Sequence, residues 1–152
     1  MLHRATNAMA GWQRRTVTWA AVGLLATGLL WLPVHYLWGS GAGELPHPLE
    51  PWLMRGHGAA VLAAVFAAGT VASGHAQRGW LLGRKRASGV ALWSLAAFLA
   101  ASGFALSYLV PEGWRPAAGW AHAAAGLGAF LVGALHARPS RSGRGDATPP
   151  LG

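Results

Sequence analysis

The chain has 152 residues, of which 53% are hydrophobic and only 11% are charged, and its formal net charge is +8. This balance excludes an ordinary soluble domain and is typical of membrane proteins. The sequence contains no cysteine, which excludes disulfides, thiolate metal sites and haem bound through cysteine.

Four apolar runs predict four transmembrane helices, at residues 16–38, 52–75, 87–110 and 117–137. Each has about the 20 residues that a helix needs to cross a hydrocarbon core of ~30 Å. The first run is too long for the apolar region of a signal peptide, so we interpret it as an uncleaved helix. We therefore predict an all-α, integral membrane four-helix bundle at 16–138, after an N-terminal segment at 1–15. The polar, Gly/Pro-rich residues 139–152 predict a disordered tail.

The basic residues indicate how this bundle is oriented. Ten of the 12 Lys and Arg residues lie before the first helix, between the second and third, or after the fourth. By the positive-inside rule, both termini are cytoplasmic, and we expect an integral protein of the bacterial inner (plasma) membrane. Membrane topology thus accounts for the positive charge, and nucleic acid is not an expected partner.

Four histidines lie near the ends of the second and fourth helices. His57 and His75 are 18 residues apart, which is five helical turns, and His122 and His136 are 14 apart, about 40° short of four turns. Each helix therefore presents both histidines on one face, among mostly small residues. We define His57 and His122 as the outer pair, and His75 and His136 as the inner pair. Facing imidazoles with space for a flat macrocycle are what bis-histidine haem ligation requires.

Other residues on the predicted bundle suit the same cofactor. Gly28 and Gly103 would let a helix backbone approach a porphyrin edge closely. Arg55 and Arg115 lie on the side that the positive-inside rule disfavours, at the level where outer haem propionates would need cationic partners.

The two predicted hairpins also form a weak tandem repeat. "TGLLWLP" from Thr27 is similar to "SGFALSYLVP" from Ser102, and "GHGAAV" from Gly56 is similar to "AHAAAG" from Ala121. Composition alone can produce such similarity between alanine-rich segments, but the matching histidines favour a structural repeat.

Over residues 16–138 this pattern resembles the four-helix transmembrane cytochromes b, in which two helices supply histidines to two haems. The resemblance implies that His57 with His122 ligates an outer haem b, and His75 with His136 an inner one. It further implies electron transfer between quinone or quinol and a redox partner protein or larger membrane complex, with membrane lipid around the bundle. The chain would then be an electron-transfer subunit rather than a complete enzyme, without catalytic residues of its own.

Alternatives remain open at this stage. The two histidine spacings differ by about 6 Å along the helix axis, so a single haem is the alternative to two. His35 would then be a spare ligand or a proton-transfer group near a quinone. A metal bound by histidine alone is a weaker alternative, since the helices add no carboxylate or thiolate ligand. The rival function is a haem-free four-helix membrane scaffold, assembly or transport subunit.

Overall fold

The computed structural model describes residues 9–43, 45–81 and 85–138, without the side chain of Arg78. Within these ranges the chain forms helices and no strand. The predicted disordered tail at 139–152 and residues 1–8 of the predicted N-terminal segment lie outside the described residues.

Four long helices and one short helix make up the fold. In chain order they are α1 (Gly11–Trp38), α2 (Leu49–Val71), α3 (Gln77–Leu81), α4 (Arg86–Tyr108) and α5 (Arg115–Ala137). A π-helical turn, Ala72–Ala76, joins α2 to α3, and 3₁₀ turns at Ser40–Ala42 and Glu112–Trp114 precede α2 and α5. The all-helical class and the four long helices confirm that part of the prediction.

All four long helices begin earlier than the apolar runs predicted, and α1 and α2 do so by three residues or more. The Ala10 N–H donates to Oε1 of Gln13 at 3.0 Å, and this contact starts α1 within the polar segment before the apolar run. Helix α2 starts at Leu49 because Pro51 lies in its first turn, where a missing N–H leaves no intrahelical bond unmade. Hydrophobicity alone cannot detect such polar or proline-containing first turns.

The helices pack as two hairpins. Helix α1 packs along α2, α4 packs along α5, and the main contact between the hairpins is between α1 and α5. On the opposite side, an apolar groove of about 460 Å³ separates the α2–α3 end from α4; it is lined by Ala72, Ala76, Gln77, Trp80, Leu81 and Trp93.

Large apolar side chains point away from the bundle axis. Leu62 on α2 is 74% exposed and Leu131 on α5 is 63% exposed, whereas small residues such as Ala64 and Gly133 are half-buried. Among the described residues, the buried hydrophobic side chains are Ala20, Val34 and Ala67. All four long helical segments are long and apolar enough to cross a membrane. This distribution suits helices surrounded by lipid, where small residues occupy the helix contacts.

Candidate functional site

The four helix-end histidines meet as two pairs across the bundle. The ring centres of His57 and His122 are 6.4 Å apart with planes at 63°, and those of His75 and His136 are also 6.4 Å apart with planes at 83°. All four side chains are half-buried. The structure thus brings the predicted residues together in the predicted combinations.

The ring separation can be compared with that of two imidazoles on one metal ion. Metal–imidazole bonds of about 2 Å, with the nitrogen about 1 Å from the ring centre, place the two ring centres roughly 6 Å apart. Both observed separations match this value. No group of three or more His, Cys, Asp or Glu side chains able to hold a metal occurs among the described residues. Each pair brings two imidazoles to this separation, and their ligation of a haem stays a prediction.

Hydroxyl groups hold three of these histidines from the preceding helix of the same hairpin. Oγ1 of Thr27 lies 2.8 Å from Nδ1 of His57, and Oγ of Ser102 lies 2.8 Å from Nδ1 of His122. In the inner pair, Oγ of Ser88 lies 2.7 Å from Nδ1 of His136. With Nδ1 engaged in this way, Nε2 is the nitrogen left for a ligand.

The role of these hydroxyl residues beside the histidines was not predicted from the sequence. The sequence feature that could have indicated it is a repeated dipeptide, since Thr27, Ser102 and Ser88 are each followed by glycine.

The predicted glycines lie beside the histidine rings. A Cβ atom built on Gly28 would lie 3.7 Å from Cε1 of His57, and one on Gly103 would lie 3.5 Å from Cε1 of His122. Hydroxyl, glycine and histidine thus recur with the same contacts in both hairpins, which gives the weak tandem repeat a structural counterpart at the outer pair.

His75 lies in the π turn, and this differs from the uninterrupted helix that the sequence predicted. A π turn holds one more residue than an α turn, so it takes up part of the difference between the two histidine spacings. The carbonyl of Thr70, just before the turn, accepts a hydrogen bond from Nε2 of Gln13 on α1 at 3.0 Å. Side chains that bond within a helical ladder are a common accompaniment of such irregular turns. The inner pair has the same ring separation as the outer pair, although His75 lies in a π turn and the other three histidines lie in α-helix.

Of the two predicted arginines, Arg55 lies in the second turn of α2 and Arg115 begins α5. The Arg55 guanidinium sits over the Trp52 ring, 4.8 Å from its centroid, and the Arg115 Nε donates to the Val110 carbonyl at 3.2 Å. Both arginines are exposed. Their interaction with haem propionates stays a prediction.

His35 is paired with a carboxylate. Its Nδ1 is 3.0 Å from Oε2 of Glu50, and the indole of Trp31 stacks on its ring with centroids 4.2 Å apart. Glu50 is only 8% exposed, and it also accepts hydrogen bonds from the backbone N–H groups of Ser40 and His47 at 3.2 and 3.1 Å. The sequence suggested His35 as a spare ligand or a proton-transfer group and did not reveal Glu50 as its partner. The structure joins it to this outer-loop cluster, which holds the α1–α2 connection.

Lys85 fixes the opposite end of the second hairpin. Its Nζ donates to the carbonyl of Arg138 at 2.5 Å and also to that of His136, so it satisfies carbonyls that the end of α5 leaves unpaired. Because Lys85 also precedes Ser88, the start of α4 and the end of α5 are fixed together beside the inner pair.

Comparison with protein-family models, curated proteins and solved structures finds no match for this chain. The chemistry of the site is therefore inferred from its own residues.

Proposed function

We propose that this protein is an integral membrane b-type cytochrome that transfers electrons between the quinone pool and a redox partner protein, with two bis-histidine haems. The observation that carries the proposal is the equal ring separation of 6.4 Å in two histidine pairs on opposing helices. One such pair could arise from packing alone. Two pairs with the separation of axial ligands favour a repeated cofactor site.

Haem b would supply the one-electron redox chemistry, and the protein would fix its ligands, spacing and surroundings. His57 and His122 would hold one group, and His75 and His136 the other. The ligands on α5 are 14 residues apart, or about 21 Å along the helix, so the two pairs span much of a ~30 Å hydrocarbon core.

The space around the pairs supports the same proposal. Small residues such as Ala64, Ala68 and Gly133 face inward on α2 and α5. The shallow apolar groove between α2–α3 and α4 begins at Ala72 and Ala76, which lie within three residues of His75 in the sequence. A flat group held by the inner pair could thus extend toward this open side of the bundle.

The proposed membrane orientation depends on the charges at one end of the bundle. Arg14 and Arg15 lie in the first turns of α1, Arg86 begins α4, and Arg138 follows α5. Because the positive-inside rule favours basic residues in the cytoplasm, the inner pair is proposed to lie near the cytoplasmic face. Reporter fusions at either terminus should therefore be active only as cytoplasmic reporters.

One spectrum separates the cytochrome from the haem-free scaffold. The protein, expressed with adequate haem and purified in detergent, should show a sharp low-spin b-type α band after dithionite reduction. The measured content should approach two haems per chain. A variant with alanine at all four histidines is the control, and it should reach the membrane without colour. A folded wild-type protein without haem would contradict the proposal and favour the scaffold.

A further inference from the structure

A hydroxyl oxygen lies within hydrogen-bond distance of Nδ1 of three histidines, His57, His122 and His136. The Thr27 hydroxyl has a single hydrogen, and its oxygen lies 2.7 Å from the Gly23 carbonyl. The Leu24 carbonyl lies 3.2 Å from the same oxygen, and since carbonyls only accept, either of them can take this hydrogen. With its hydrogen directed to its own helix, the Thr27 oxygen would accept at 2.8 Å from His57, and Nδ1 of His57 would be the donor.

The same arrangement recurs on α4. The Ser102 hydroxyl donates to the Leu99 carbonyl at 3.3 Å and faces Nδ1 of His122 at 2.8 Å. The Ser88 hydroxyl donates to the Lys85 carbonyl at 3.1 Å and faces Nδ1 of His136 at 2.7 Å. Each of the three hydroxyls, at both levels of the bundle, thus has a backbone carbonyl three or four residues before it as an acceptor for its hydrogen.

We infer that Thr27, Ser102 and Ser88 are positioning residues that select the Nδ1–H tautomer of His57, His122 and His136. A neutral imidazole carries one N–H, so Nε2 of each ring keeps a lone pair for a metal. The inference rests on the proposed function only in taking haem iron as that metal.

The hydrogen bond also tunes the ligand. An imidazole that donates its Nδ1–H is more basic at Nε2, and outer-shell partners of this kind typically contribute 10- to 100-fold to metal affinity. A more basic ligand favours ferric over ferrous iron, so the hydroxyl lowers the reduction potential. If removal of the hydroxyl weakens the binding of ferric haem tenfold more than that of ferrous haem, the midpoint reduction potential rises by about 59 mV.

Thr27→Val tests this inference because it keeps the side-chain shape and removes the hydroxyl. We expect weaker haem retention at the outer pair and a higher midpoint potential for one of two haems in an equilibrium redox titration. Thr27→Ser keeps the hydroxyl and should restore both values. Thr18→Val is the matched control, since the exposed Thr18 hydroxyl donates to the Arg14 carbonyl of its own helix at 2.8 Å.

A second measurement does not require haem. Two-bond ¹H–¹⁵N spectra of the haem-free protein, labelled at histidine, should show His57 as the Nδ1–H tautomer in the wild type and in Thr27→Ser. Thr27→Val should lose that signature. An Nε2–H tautomer in the wild type would overturn the inference, as would unchanged potentials in Thr27→Val. Failure of the proposed function would instead appear as a wild-type protein that binds no haem.

Discussion

The outer and inner histidine pairs share a ring separation of 6.4 Å, yet their helices differ. His57 and His122 both lie within regular α-helix, and each is bonded to a hydroxyl of the helix before it. In the inner pair, His75 lies in a π turn, and His136 lies in the last turn of α5. The comparison teaches that a repeated ring geometry does not require a repeated sequence spacing, because one extra residue in a turn can rotate and lower a side chain.

The two ends of the bundle are also closed by different chemistry. At the outer end, a buried carboxylate, Glu50, joins α1, the following turn and α2. At the inner end, the exposed Lys85 donates to the last carbonyls of α5. Since a buried hydrogen-bonded charge costs more to disturb than an exposed one, the outer end should be the less tolerant of substitution.

The largest effect is expected from removing one histidine of a pair, which should abolish haem binding at that pair alone. We predict that His122→Ala removes the outer haem and leaves the inner one, and that His136→Ala does the reverse, because each iron would lose an axial ligand. The haem-to-protein ratio of each purified variant should fall from about two to about one. An unchanged ratio in His122→Ala would remove the outer assignment.

Insertion of one alanine after Gly69 should affect only the inner pair. The π turn already holds one more residue than an α turn, so a second extra residue would turn the following residues by about 100° and carry His75 away from His136. We expect loss of the inner haem with an unchanged outer spectrum. Gly58→Ala is a suitable control for α2, because a Cβ there meets nothing within 4 Å. An insertion variant that keeps both haems would show that the rotation of this segment does not position His75.

Gly39→Ala should destabilise the outer end without removing a ligand. A Cβ on Gly39 would overlap Oε1 of Glu50 and lie 2.8 Å from the Val34 carbonyl, and neither neighbour can move freely. The free energy of unfolding should fall by about 1–3 kcal/mol, the usual cost of overpacking. Thermal unfolding in detergent, compared with that of Gly58→Ala, would measure this loss. Equal stabilities would contradict the close packing around Glu50.

The smallest effect is expected at the inner end. Lys85→Met removes the donor to the His136 and Arg138 carbonyls, so the last turn of α5 should fray. We expect a loss of about 0.3–1 kcal/mol in stability. Hydrogen exchange should increase in the last turn of α5 and not around His122. Arg15→Met, an exposed change on α1, controls for the loss of one positive charge.

Much of this architecture could be predicted from the amino-acid sequence. Hydrophobic runs predicted the four long helices, because the length of an apolar segment is set by the membrane it would cross. Helical periodicity predicted that the two histidines of each helix share a face with small residues. The predictions were wrong where the backbone departs from a regular helix, as at His75, and incomplete where a polar first turn extends a helix, as at Gln13.

The amino-acid sequence by itself determined the all-helical class and placed His57, His75, His122 and His136 at the ends of two helices, since these properties depend on local composition and period. Only the tertiary structure decided which side chains hold them. The contact of Thr27 with His57 joins residues 30 positions apart, and that of Ser88 with His136 joins residues 48 apart. Such contacts depend on the relative rotation and depth of packed helices, which no local pattern specifies. The same packing gave His35 its partner in Glu50 and brought both pairs of rings to one separation.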